Sequence, residues 1–344
     1  MSLLLGVFAF ATLVACSATP SKNSPTAVRE EQVRFSSGDV RLAGTLVLPG
    51  GPGPHAAVVL FHGSGPEERN LFMARWFAEQ GVAALTYDKR GVGESEGNFR
   101  QVPFMKLADD GLAAVDFLRA RADVDPHKIG VWGLSQGGWL GPLAASRSPE
   151  VAFVISVSGP GVSPGEQMIF YYASQLRSLG LSENDIREAS ALRREVWNSL
   201  RTGNGSEQAR ADLDRSRSAA WYSQVKDQED NLFGLLQKPA HLKKTGSTLW
   251  FREEMGYDPV PTLQKLVVPA LFIFGADDEL VPVKPSVDAI NAVSNTAKKD
   301  FTVVVFPHAD HTLHTVTEDD RRNLLPEYLQ RMREWLQQRV LVTK

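Results

Sequence analysis

Short apolar runs rich in β-branched residues recur along this chain, each followed by an amphipathic stretch, and that alternation leaves few folds open. The runs cover 56–61 (AAVVLF), 82–87 (VAALTY), 128–134 (KIGVWGL) and 152–158 (AFVISVS). A strand that is apolar at every position is buried on both faces, which requires helices above and below the sheet. Helices are expected between the runs, over 71–80, 105–122 and 137–146. Strand–helix alternation of this kind means α/β architecture: a mostly parallel, doubly wound sheet with right-handed crossovers. Ahead of it, 32–35 and 42–48 read as two paired strands around Ser36-Ser37-Gly38-Asp39.

The rhythm stops at Gly159-Pro160-Gly161. From 161 to 261 the chain is polar and helix-like, with Ser182 and Ser206 expected as N-caps, each followed by an acidic residue in the first turn. The earlier rhythm then returns, with strands at 270–274 and 301–306 and helices at 287–293 and 321–339. The expected organisation is therefore an α/β core in two parts, 32–160 and 262–344, interrupted by a helical cap over 161–261. A length of 344 residues suits one core carrying a large insertion.

Composition removes several classes of function. Lys and Arg total 37 against 40 Asp and Glu, a net charge of −3 with no basic stripe, so nucleic acid is not an expected partner. No apolar run reaches about 18 residues, which excludes a polytopic membrane protein. The single cysteine, Cys16, rules out an intramolecular disulfide or a cysteine zinc site. It follows the apolar run 3–15 (LLLGVFAFATLVA), which has the length of a signal-peptide core. Leu13-Val14-Ala15-Cys16 resembles the bacterial lipoprotein signal-peptidase motif. The resemblance implies a signal peptide over 1–15, lipidation of Cys16, a polar tether over 16–31, and export to a lipid-anchored position on a membrane. Ser17 after that cysteine resembles outer-membrane sorting, on the periplasmic side.

The chemistry concentrates at three strand ends. Strand 128–134 runs into Gly133-Leu134-Ser135-Gln136-Gly137-Gly138, with a helix directly behind. A Gly-x-Ser-x-Gly sequence between strand and helix forms a sharp, strained turn that lifts the serine hydroxyl above the sheet. There the helix N-terminus favours a developing negative charge. A serine nucleophile needs a base, and the base needs an acid to orient it. Strand 270–274 is followed by Gly275-Ala276-Asp277-Asp278-Glu279-Leu280-Val281-Pro282, and strand 301–306 by Pro307-His308-Ala309-Asp310-His311-Thr312-Leu313-His314. Carboxylates and imidazoles thus lie at carboxyl ends of strands, where such sheets bind ligands. His308, Asp310, His311 and His314 could also be read as metal ligands, but their spacing in a loop matches no specific metal pattern, so no metal or cofactor is expected.

From 33 to the C-terminus the chain resembles an α/β-hydrolase-fold serine hydrolase. The stretch Tyr257-Asp258-Pro259 leading to Pro269 is similar to bacterial carboxylesterases related to dienelactone hydrolases and serine aminopeptidases. The resemblance implies Ser135 as nucleophile and, from a Gly-x-x-Asp-x-x-Val-Pro frame, Asp278 as acid, with Asp277 the alternative. It implies His311 as base, with His308 and His314 as competitors. His62-Gly63-Ser64 after strand 56–61 resembles the family's oxyanion loop, so the donors would be the backbone N–H groups of Ser64 and Gln136, with His62 structural. Asp88-Lys89-Arg90-Gly91-Val92-Gly93-Glu94-Ser95 matches a family turn in which Asp88 and Arg90 tie down the loop near the site.

Acidic Glu253 and Glu254 could receive a substrate amine, although a solvated helical face explains them more simply. Trp197, Trp221, Trp250, Tyr171, Tyr172 and Tyr222 suit either an acyl pocket or packing between cap helices. The expected function is cleavage of small-molecule carboxylic esters through an acyl-enzyme. The alternatives are an aminopeptidase or amidase on short peptides, a thioesterase or acyltransferase with the same triad, and a catalytically silent binding module.

Overall fold

The structure is a computed structural model and describes residues 27–202, 204–219, 221–225, 254–316 and 322–342. The signal peptide, Cys16 and most of the 16–31 tether lie outside those residues. β1 (Arg29–Ser37) and β2 (Val40–Leu48) form an antiparallel hairpin that turns at Gly38, where φ is +62°. β2 pairs antiparallel with β4 (Val82–Tyr87). β4 then runs parallel with β3 (His55–Phe61), β5 (Val124–Leu134), β6 (Val154–Val157), β7 (Ala270–Gly275) and β8 (Phe301–Phe306). The sheet order is β1-β2-β4-β3-β5-β6-β7-β8.

That order reverses direction at β3. The chain steps outward from β3 to β4, then returns to place β5 on the other side of β3. Such a switch point leaves a crevice outside the carboxyl ends of the two strands, because their following loops diverge. The loop after β3 carries His62 to Gly65, and the turn after β5 carries Ser135. Topology alone therefore faces these two segments toward one another.

Every residue of β4 and β7 is buried. In β3, Ala57, Val59 and Phe61 pack on one side, where α2 (Phe104–Arg119), α3 (Gln136–Ala145) and α9 (Val283–Ala297) lie. Val58 and Leu60 pack on the other, against α1 (Leu71–Glu79) and α10 (Pro326–Arg339). Each such buried Val, Leu or Phe contributes about 1.5–3 kcal/mol, enough for the two layers to clamp the sheet.

Between β6 and β7 the described residues form α4 (Pro164–Ser178), α5 (Glu183–Thr202), α6 (Ser206–Ser216), α7 (Tyr222–Val225) and α8 (Pro259–Lys265). Leu176, Ile186, Leu192, Val196 and Leu213 build a separate small core there. Ser182 does cap α5, its Oγ accepting from Asp185 N at 3.2 Å. Ser206 does not cap α6: it is the first helical residue, and Gly205, at φ +74°, takes the cap position with a left-handed backbone open to glycine at little cost. The C-terminal helix also starts later than expected. Pro326 begins α10, and Leu325 before it is held extended, as a residue preceding proline must be. The chain upstream instead forms a two-stranded hairpin, β9 (His314–Val316) with β10 (Arg322–Leu324).

Candidate active site

Ser135 sits between the last residue of β5 and the first of α3 with φ +57° and ψ −116°, a conformation that costs a non-glycine residue on the order of 1–3 kcal/mol. The surroundings enforce it. Ser135 N donates to Val157 O at 2.9 Å, and Gly138 N donates to Ser135 O at 2.8 Å. A Cβ on Gly133 would collide with the backbone of Gly137, and one on Gly137 would lie 2.8 Å from Phe61 O. The two glycines are thus required by close packing of strand, turn and the β3 loop.

The expected acid and base, Asp278 and His311, come from the ends of adjacent strands. His311 Nδ1 donates to Asp278 Oδ2 at 2.8 Å, while Asp278 Oδ1 accepts from Leu280 N at 2.8 Å and Val281 N at 2.9 Å. A carboxylate only accepts, so this bond leaves the proton on Nδ1 and the lone pair on Nε2. Asp277 is paired differently: its carboxylate lies 3.6 Å from His308 Nδ1, with the two side chains 63% and 88% exposed. Water screens that contact almost completely. His314 Nδ1 lies 3.0 Å from both the carbonyl and the hydroxyl oxygen of Thr312, so its own loop holds it. Among the described residues, no three His, Cys, Asp or Glu side chains converge as metal ligands.

Ser135 opens into a cavity of about 540 Å³ that is also lined by Ser64 and Gln136. Gln136 is the first residue of α3, so its N–H is among those that helix geometry leaves without an internal partner. The cap supplies a wall through Pro164, Gln167, Met168 and Tyr171 of α4, with Trp139 and Leu107 from the core. Gln167 Nε2 donates to Leu280 O at 2.5 Å, joining the cap to the loop that carries Asp278. His311 borders an adjoining cavity of about 670 Å³, and Leu280 lines both. Among the described residues, no hydrogen bond joins Ser135 to His311.

His62 is buried, with Nε2 donating to Tyr87 O at 2.5 Å and its ring edge-on to Tyr87 at 4.6 Å. Burial pushes it down to about 4, and the Tyr87 hydrogen bond only partly opposes this, so it is neutral at neutral pH. It shapes the loop and lines neither of the two cavities described above. Asp88 and Arg90 tie down their turn, though not through each other. Asp88 receives Arg69, at 3.0 Å from Nε and 2.5 Å from Nη2, and the Glu94 N–H at 3.0 Å. Arg90 forms a buried bidentate pair with Asp110, with Nε 3.0 Å from Oδ2.

Two residues take places that sequence reasoning did not give them. Glu254, expected on a solvated face, is buried and accepts from Gln136 Nε2 at 2.7 Å. The chain packs back against the start of α4 here, with Gly165 N donating to Met255 O at 3.1 Å, and Glu254 and Met255 are both buried. Glu253 lies outside the described residues. Lys89, given no role from sequence, is 2% exposed, with Nζ donating to Gly63 O at 2.6 Å, Gly65 O at 3.1 Å and Gln136 Oε1 at 2.9 Å. The available signal was its position two residues past the end of β4, between Asp88 and Arg90 in the turn that the sequence already placed near the site. Of the cap aromatics, Tyr172, Trp221 and Tyr222 belong to the cap core, and Tyr171 faces the cavity. Trp197 packs at the edge of that core, stacked on Arg193 at 4.5 Å. Trp250 lies outside the described residues.

With this geometry in place, three comparisons bear on it. A family model described as serine aminopeptidase, S33, matches residues 52–320. The chain is 30% identical over 174 residues to the esterase EstD of Thermotoga maritima, covering 48% of this chain and 40% of that protein. It is 37% identical over 130 residues to the thiohydrolase aneE of Aspergillus aculeatus, covering 37% of this chain and 40% of that one. The chain thus spans well under half the length of these curated relatives. In fold, it is similar to the α/β hydrolase GrgF from Penicillium sp. sh18, with a TM-score of 0.58 and 18% identity over 92% of this chain and 100% of that one.

Proposed function

The chain belongs to the serine aminopeptidase S33 family and has the α/β-hydrolase fold, and we propose that it cleaves carboxylic esters through a Ser135–His311–Asp278 triad. The reading rests on one observation above others: Ser135 is held at a positive φ in the wall of a cavity that Ser64 and Gln136 also line. Nothing in ordinary packing needs a strained serine in that place.

In the proposed reaction, His311 Nε2 takes the proton from Ser135 Oγ as Oγ bonds to the ester carbonyl carbon. The carbonyl oxygen becomes an oxyanion held by the N–H groups of Ser64 and Gln136, each donor supplying on the order of 3 kcal/mol of barrier lowering. Asp278 stabilises the imidazolium. The carbon–oxygen bond to the alcohol then breaks, with His311 returning the proton to the leaving oxygen. Water repeats the sequence on the acyl-enzyme, releasing the acid and restoring the Ser135 hydroxyl.

A second reading, hydrolysis of short aminoacyl amides, draws on the Glu254 carboxylate lining the same cavity. A panel of p-nitrophenyl esters, aminoacyl anilides and acyl thioesters separates the two. Ester turnover exceeding anilide turnover supports the esterase; the reverse order overturns it in favour of the amidase.

The proposal extends to the N-terminus, where the apolar run ending in Leu13-Val14-Ala15-Cys16 supports export and lipid anchoring at Cys16. Labelled fatty acid should enter the wild-type protein in a bacterial host and not Cys16→Ser. Equal labelling of both, or of neither, contradicts the anchor.

A further inference from the structure

We propose that Lys89 is the positioning residue of the oxyanion hole: its ammonium grips the Gly63 carbonyl and thereby aims and polarises the Ser64 N–H. The inference rests on the serine-hydrolase reading above. It starts from peptide geometry. In a trans peptide the carbonyl oxygen of one residue and the N–H of the next point in opposite directions within one plane. Gly63 O and Ser64 N–H belong to the same plane, so a group that fixes the carbonyl on one side fixes the N–H on the other. Lys89 Nζ lies 2.6 Å from Gly63 O, and Ser64 faces the cavity that contains Ser135.

The other hydrogen bonds of the Lys89 ammonium act on the same machinery. An ammonium has three N–H donors, and here they go to Gly63 O, to Gly65 O at 3.1 Å and to Gln136 Oε1 at 2.9 Å. The first two flank Ser64. The third holds the side chain of the residue that carries the other backbone donor, and Gln136 Nε2 passes the chain on to Glu254 at 2.7 Å. The Gly63 N–H is held in turn by Glu67 Oε2 at 3.0 Å. Phe99 closes the remaining side, its ring centroid 4.7 Å from Nζ.

A neutral donor could satisfy one carbonyl. A buried charge is costly to desolvate, and what it supplies in addition is polarisation: a peptide whose oxygen meets a cation donates more strongly through its N–H. That is the property an oxyanion hole needs. Burial brings Lys89 down to about 8, with Glu67 and Glu254 pulling the other way. Of the other titratable groups near it, His62 is neutral across this range. The clamp is therefore charged at neutral pH and discharges within the range where an esterase can be assayed.

The test measures kcat and KM on p-nitrophenyl acetate from about pH 6.5 to 9.5 for wild type, Lys89→Met and Lys89→Arg, with circular dichroism at each pH. Wild type should show an alkaline fall in kcat with its midpoint near pH 8 while the fold persists. Lys89→Met should lose about a hundredfold in kcat with KM nearly unchanged, and lose the alkaline fall. Lys89→Arg should recover part of kcat, again without the fall, because a guanidinium keeps its charge throughout. A folded Lys89→Met with wild-type kcat overturns the proposal. So does a wild-type kcat that stays flat to the top of the range, a result that decides the matter even if the Met variant does not fold. The two readings fail separately. Wild type labelled by a fluorophosphonate beside a fully active Lys89→Met removes only the clamp, whereas folded wild type that neither labels nor turns over ester removes both.

Discussion

His311 Nδ1 lies 2.8 Å from Asp278 Oδ2, and the N–H groups of Leu280 and Val281 fix the other oxygen of that carboxylate. The imidazole is thus oriented by a side chain that has only one place to be. Asp278→Asn keeps the shape but can donate where the carboxylate only accepted, which favours the wrong imidazole tautomer. It should lower kcat about 10⁴-fold. Asp277→Asn, on the exposed neighbour, should leave kcat near wild type. Steady-state kinetics on one ester checks both, and a larger loss in the Asp277 variant would exchange their roles.

His62 makes the fold acid-sensitive in a defined window. It is held at about 4 in the folded chain against 6.5 for a free imidazole. Between those values the unfolded chain binds a proton that the native one does not, so stability falls as pH falls from about 6.5 to about 4, by roughly 3 kcal/mol at most. Urea unfolding of wild type and His62→Gln at neutral pH and near pH 4.5 measures it. The variant should be less stable at neutral pH, through loss of the Tyr87 contact, and should lose less on acidification. An unchanged pH slope would contradict the assignment.

The Arg90–Asp110 pair is buried on both sides, at 3% and 2% exposure. Arg90→Met leaves a buried carboxylate without its counter-charge, which typically costs about 3–5 kcal/mol. Arg90→Met with Asp110→Leu removes the stranded charge and should recover most of that loss. Urea midpoints for the single and double variants check it; additive losses would mean that the two side chains do not act as a pair.

Some of this was legible because it is local. The Gly133-x-Ser135-x-Gly137 turn follows from backbone sterics between one strand and one helix, and strands apolar at every position announce a doubly covered sheet. The start of the last helix was missed although it too is local: the expected helix over 321–339 overran Pro326, which fixes its own φ and holds Leu325 extended. What lay beyond the sequence depended on distant segments arriving at one place. The distinction between Asp277 and Asp278 lies in a loop conformation that buries one carboxylate and exposes the other within a single step of chain. The burial of Glu254 needed the return of the cap across α3, and that of Lys89 needed the β3 loop to fold over it; neither leaves a periodic trace.

The central claim is that Ser135 is a nucleophile, and covalent labelling tests it most directly. A fluorophosphonate probe followed by peptide mapping should mark the folded wild-type protein at Ser135 alone and leave folded Ser135→Ala unmarked, with ester turnover lost in the variant. Folded wild type that takes no label, or a Ser135→Ala variant that still labels and turns over ester, would contradict it.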